Sequence, residues 1–168
     1  MDGLSKLSIT ISNPNLPLKQ KLTAICKTIK REIKEPHQVS LWVFKNGYSA
    51  IEQIGGYDEQ NQYIAGGVLQ RADYPEYFDY ILNNHVLNAS NARSHPATSC
   101  FNSTYFAPNN IYSLLDIIYH HDFEPKGIIC CEAVNAEIVW DPLFIEKLKR
   151  IANISSIFFS KSLTDLNE

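Results

Sequence analysis

Apolar positions along the chain recur with two different periods, and the changes between them separate its elements. From Pro17 to Ile33, Leu18, Leu22, Ile25, Cys26, Ile29 and Ile33 follow the 3.6-residue period of an amphipathic helix. Lys19, Lys27, Lys30, Arg31 and Lys34 fall on the opposite side, as a solvated face does. The run Val39–Lys45 is rich in β-formers, and so is the run after Asn46-Gly47, which begins at Tyr48. Asn-Gly between two such runs predicts a hairpin, because both residues tolerate positive φ. Gly55-Gly56 and Gly66-Gly67 bracket a short strand at Gln62–Ala65, and neither pair has the spacing of a phosphate-binding loop.

The stretch Asp73–Asn83 predicts a short aromatic helix with Asp73 as its cap and Pro75 in its first turn. A brief strand and turn over His85–Ala92 follows. Two longer apolar runs, Ile111–Tyr119 and Gly127–Val134, predict strands joined by a polar loop over His120–Lys126. Asp141-Pro142 then opens a final helix reaching about Phe159, with a main stripe of Phe144, Ile145, Leu148, Ile151, Ala152, Phe158 and Phe159. Leu143, Ile154 and Ile157 form a weaker second stripe suited to a partner helix. Residues 1–14 are polar and predict a flexible lead-in, residues 15–162 a single domain, and residues 163–168 a tail.

Residues 93–110 predict a loop, yet they hold Phe101, Tyr105 and Phe106, which are costly to leave in water. A long loop with buried aromatics is often a lid or a pocket wall. Composition narrows the classes. The 168 residues, 45% hydrophobic and 20% charged, suit one globular domain. A formal net charge of -3 lacks the basic excess of a general nucleic-acid binder. No apolar run approaches a membrane span, and the N-terminus has no signal-peptide pattern, so a cytoplasmic location is expected. On that expectation the sequons at Asn88, Asn102 and Asn153 carry no meaning, and Cys26, Cys100, Cys130 and Cys131 read as free thiols.

The chemistry concentrates in the two long strands, each of which carries one carboxylate among apolar neighbours: Asp116 and Glu132. Buried acids need partners. Paired through the 120–126 loop without irregularity, the strands place Ser113, Leu115, Ile117, Ile128, Cys130 and Glu132 on one face, and Leu114, Asp116, Ile118, Ile129 and Cys131 on the other. The acids then lie on opposite faces, one toward a pocket and one capping backbone amides, unless a one-residue bulge reverses the parity. Arg71 and Arg93 flank the aromatic helix and the long loop, where an anionic ligand could meet them. His120, His121 and Asp122 have poor metal spacing and read as an exposed turn.

Taken in order, Val39–Phe44 (V-S-L-W-V-F), Asp73–Phe78 (D-Y-P-E-Y-F), Pro96–Tyr105 (P-A-T-S-C-F-N-S-T-Y), I-Y-S-L-L-D from Ile111, G-I-I-C-C-E from Gly127 and W-D-P from Trp140 resemble a GAF domain of the bacterial signalling type. The resemblance spans about Leu22 to Phe159. It implies an α+β, GAF/PAS-like antiparallel sheet of about six strands. The terminal helices would cover one face, and the short helix and long loop the other. It further implies a non-catalytic sensor, with no cofactor, that binds an unknown small-molecule ligand. The pocket walls would be Trp42, Tyr74, Phe78, Thr98, Phe101 and Tyr105, with Asp116 or Glu132 as the acid. A homodimer through the terminal helices, and a histidine kinase or diguanylate cyclase output module, are the partners so implied.

A ligand-free interaction module is the second reading. The N-K-x-F-D-E signature of the cyclic-nucleotide class is absent, and no Cys is followed by His, as bilin attachment commonly requires. Cys100 with Cys130 or Cys131 could imitate the GAF-type methionine-sulfoxide reductases, although the surrounding sequence does not match. No nucleophile–base pair or metal set is visible.

Overall fold

The computed structural model describes residues 1–33 and 37–166, with side chains to Phe158; Lys34 of the basic strip and the side chain of Phe159 lie outside the described residues. Four α-helices and seven strands follow one another along the described residues. They are α1 (Gly3–Ser12), α2 (Leu18–Glu32), β1 (His37–Lys45), β2 (Ala50–Tyr57), β3 (Tyr63–Ile64), β4 (Val68–Gln70), α3 (Pro75–Asn84), β5 (Val86–Ala89), β6 (Ile111–His121), β7 (Glu124–Val134) and α4 (Pro142–Leu166). The strands form one antiparallel sheet in the order β3-β2-β1-β7-β6-β5, with β4 paired to the same outer edge of β2 as β3.

Three helices cover one face. Leu22, Ile25, Cys26 and Ile29 of α2, and Leu148, Ile151 and Ala152 of α4, pack onto Leu41, Leu115, Ile117, Ile129 and Cys131 of the sheet. The irregular lead-in expected over residues 1–14 is instead helix α1. Asp2 caps it by accepting from the Ser5 amide at 2.8 Å, and Leu7 and Ile11 are buried in the core shared with α2 and α4. Polar Ser and Thr around that short stripe hide its period. At the other end, α4 runs through much of the expected tail to Leu166, because no Gly or Pro follows Pro142 to stop it.

The opposite face is covered by α3 and the 90–110 segment. The cap of α3 is Tyr74 and not Asp73, with Pro75 at the first helical position. Residues expected as loop contain a tight helical turn at Ser99–Phe101 and a wide, π-type turn at Asn102–Phe106, the latter closed by the Ala107 amide on the Asn102 carbonyl at 2.9 Å. Arg93 anchors this segment. Its Nε donates to the Ile111 carbonyl at 2.8 Å and its guanidinium lies 4.1 Å from the Tyr112 ring centre.

The β6–β7 register overturns the predicted parity. Asp122 and Phe123, at φ 51° and 65°, make a two-residue turn in place of the long polar loop, pairing His121 with Glu124. That start would put the acids on opposite faces. Between the His120–Pro125 and Tyr119–Gly127 pairs, however, the ladder slips and leaves Lys126 as an extra residue. From there Ile118 opposes Ile128, Asp116 opposes Cys130 and Leu114 opposes Glu132. Directly opposed residues share a face, so both acids point toward α3 and the 90–110 segment. Gly127 sits at the slip because a side chain cannot: a Cβ there would lie 1.9 Å from the Tyr119 hydroxyl and 2.0 Å from the Trp42 carbonyl oxygen.

Candidate functional site

Between the sheet and the segment that covers it lies a cavity of about 390 Å³. Its floor is Trp42 of β1, Gln53 of β2, Leu69 of β4, Leu114 and Asp116 of β6, and Cys130 and Glu132 of β7. Its roof is Tyr74 and Tyr77 of α3 with Phe101, Thr104, Tyr105 and Phe106. The aromatics brace one another: the Tyr74 and Tyr77 rings lie 4.5 and 5.3 Å from that of Phe101, which packs on Phe106 at 5.9 Å. A roomier but open groove of about 690 Å³ runs along α1 and α2. Its cations are partly engaged, Lys30 with Asn61 at 3.0 Å and Arg31 with Thr28 at 3.3 Å.

The acids are almost fully buried, each 2% exposed. Glu132 Oε1 accepts from the Tyr105 hydroxyl at 2.9 Å and from Gln38 Nε2 at 3.1 Å, and Gln38 also donates to that hydroxyl at 3.0 Å. Asp116 Oδ2 accepts from the Tyr77 hydroxyl, while Oδ1 finds no hydrogen-bond partner among the described residues. The Cys130 thiol, a weak donor, lends some support to both acids.

Burial dominates the electrostatics. It pushes the Asp116 carboxyl up to about 6, against the hydrogen bonds from Tyr77 and Cys130. It pushes Glu132 up to about 7, with the nearby Asp116 charge adding to the rise and the Tyr105, Cys130 and Gln38 hydrogen bonds opposing it. Burial and the two acids raise the Cys130 thiol well above its ordinary value, so it stays protonated near neutral pH.

Of the residues predicted as pocket walls, Trp42, Tyr74, Phe101 and Tyr105 line the cavity together with both acids. Phe78 and Thr98 do not. Phe78 is fully buried in the core beneath α3, and the Thr98 hydroxyl donates to the Ala92 carbonyl at 2.6 Å, tying down the loop. Sequence reasoning passed over Tyr77 and Gln38, and weighed Cys130 only as a reductase-like partner of Cys100. Tyr77, three residues after Tyr74 on α3, falls on the same helix face, a spacing that could have found it.

Cys130 and Cys131 point to opposite faces, as strand alternation requires, and all four cysteines are free. Cys100 is not among the cavity residues. Arg71 pairs with Asp79 at 2.8 Å, and neither it nor Arg93 lines the cavity. Among the described residues no group of three or more His, Cys, Asp or Glu is placed to hold a metal ion. No described helix is long and apolar enough to cross a membrane.

No protein-family model and no curated protein matches the sequence. Solved structures match nearly end to end. The GAF domain of an Acinetobacter phosphoenolpyruvate-protein phosphotransferase is similar at 12% identity and a TM-score of 0.73, covering 99% of this chain and 96% of that one. The phycoerythrobilin-bound GAF domain of a cyanobacterial phytochrome gives 13% identity, a TM-score of 0.76, and coverage of 97% and 95%. Free methionine-R-sulfoxide reductase from Neisseria meningitidis, solved with its substrate, gives 9%, 0.69, and 96% and 89%. At such identities the likeness is one of fold, and with the sheet order and layers described above it establishes that this chain folds as a GAF domain.

Proposed function

We propose that this is a non-catalytic sensor domain that binds a small molecule in the cavity between the sheet and the 93–110 segment and passes the occupied state to its terminal helices. One observation carries the reading: the cavity is walled by aromatics and floored by two buried acids, one of which has an oxygen without a hydrogen-bond partner among the described residues. A buried acceptor without a donor is costly, and a ligand is one way to complete it. Concave, mostly apolar sites with a few convergent polar groups are the usual small-molecule sites.

A route to the helices is built into β6. The Leu114 side chain faces the cavity while its carbonyl accepts from Trp140 Nε1 at 3.2 Å. Trp140 in turn stacks on Phe144 of α4, ring centres 6.0 Å apart. A ligand that moves Leu114 therefore acts on the start of α4, and the helix layer responds as a two-state element. The helices then pass the change to an output module such as a histidine kinase or diguanylate cyclase. Protonated, buried thiols favour this reading over a cysteine-based reductase, since the thiolate is the nucleophile.

A second reading, pairing of two copies through α1 and α4 with or without ligand, draws support from Ile9, Leu143 and Ile157, which are exposed on those helices at 59%, 78% and 45%. Native mass spectrometry of the protein purified without denaturation tests both. The sensor reading expects a small mass that is retained and then lost on unfolding, and that is absent from a Leu114→Trp variant with its cavity filled. A dimer with an empty cavity supports the second reading against the first.

A further inference from the structure

We propose that the occupant of the cavity is a small organic cation, an ammonium on a flat apolar body, gripped by Asp116 and Glu132 from the sheet and by aromatic side chains from α3 and the covering segment. The inference rests on the sensor reading and adds the ligand's chemical class. Both charged groups among the cavity residues are acids, and no Lys, Arg or His joins them. An anion placed there would face two carboxylates buried in a weakly screening part of the fold, where like charges repel strongly.

The hydrogen-bonding inventory points the same way. The Tyr77 and Tyr105 hydroxyls and the Gln38 amide already spend donors on the acids, and the buried acceptor left over is Asp116 Oδ1, while Tyr74, Gln53 and Thr104 add polar groups that can donate or accept. A ligand group that meets Asp116 Oδ1 must therefore bring a donor, which an ammonium carries in threes. Asp116 opposes Cys130, so Glu132 lies two residues along the neighbouring strand, a diagonal separation of roughly 7–8 Å between such positions. One ammonium between them can reach both side chains. Above them the rings of Tyr74, Tyr77, Phe101 and Tyr105 line the cavity, and aromatic rings attract positive charge over their faces as well as apolar surface.

The acids also tie binding to pH. Tyr77 faces them from α3, Tyr105 from the covering segment, Gln38 from β1 and Cys130 from β7, and none of these is a cation. Burial holds the carboxyls at about 6 and about 7 in the empty protein. A bound cation favours their ionised forms, so affinity rises as pH rises through that range, and protons are released on binding near pH 6.

Titration calorimetry of the refolded, ligand-stripped protein tests this with three matched probes: 2-phenylethylammonium, the uncharged 2-phenylethanol and the anionic phenylacetate. The ammonium is expected to bind at least tenfold more tightly than the alcohol at pH 8, with the carboxylate showing no heat. Its affinity should fall at least tenfold at pH 5.5. The paired Asp116→Asn and Glu132→Gln variant, checked for cooperative melting, should lose ammonium binding. Equal or tighter binding of the alcohol or the carboxylate overturns the cation, and so does ammonium binding that survives in the paired variant or no ammonium binding at all. The sensor reading fails separately, by an empty cavity in the native mass spectrum; a retained neutral or anionic compound there would uphold the sensor and overturn the cation.

Discussion

The two faces of one sheet differ in kind, although they are made by alternate residues of the same strands. Leu115, Ile117, Ile129 and Cys131 close against apolar residues of α1, α2 and α4 in one close-packed cluster. One residue away, Leu114, Asp116, Cys130 and Glu132 look into a hollow walled by aromatics. Strand alternation thereby separates the packed face from the face with the cavity. The helix-covered face holds the fold, and the acid-bearing face accepts a cost in desolvated carboxylates that a pure scaffold would not need.

Perturbing each face should break that contrast in opposite directions. Gly127→Ala should have the largest effect, a loss of about 3 kcal/mol or more in chemical denaturation, because its Cβ would press on the Trp42 backbone and the Tyr119 hydroxyl at the helix-covered face. Ile151→Ala, in the same dry layer, should cost about 2–4 kcal/mol by leaving a cavity.

On the hollow face the sign reverses. Asp116→Asn with Glu132→Gln should stabilise the empty protein by about 1–3 kcal/mol at pH 8, because no buried charge remains to be desolvated. The pH dependence follows from the direction of the shifts. Both carboxyls are raised above their ordinary values of 3.8 and 4.5, so the folded state holds protons that the unfolded state has lost. Stability of the empty wild-type protein should therefore fall as pH rises from about 4 through about 7, and thermal melts of the paired variant should lose most of that slope. A flat wild-type profile would erase the distinction between the faces.

The sequence made the elements legible because their periods are plain: the α2 stripe, a hairpin at Asn-Gly and two long strands are all present, although the hairpin turn takes in Tyr48 and the long strands extend through most of the expected loop. Helix α1 was hidden by its Ser and Thr residues. Which residues share a face was legible only up to parity, and one extra residue, Lys126, decides it. Nothing in E-P-K-G marks which residue the ladder will skip, although Pro and Gly within a strand each often mark a bulge. The walls named from the motif order fared in the same way. Tyr74 and Phe101 reach the cavity, while Phe78, next to Tyr77 on α3, is turned into the core by the helical rotation between neighbours.

Everything distinctive about the hollow face depends on Asp116 and Glu132 sharing it. Carbon-detected NMR titration of the side-chain carboxyls measures this directly. With both acids buried at one cavity, two carboxyls titrate near pH 6 and 7, and Asp116→Asn moves the Glu132 titration down, because the Asp116 charge helps to raise it. Two carboxyls that titrate independently near pH 4 would contradict the shared cavity and the register that creates it.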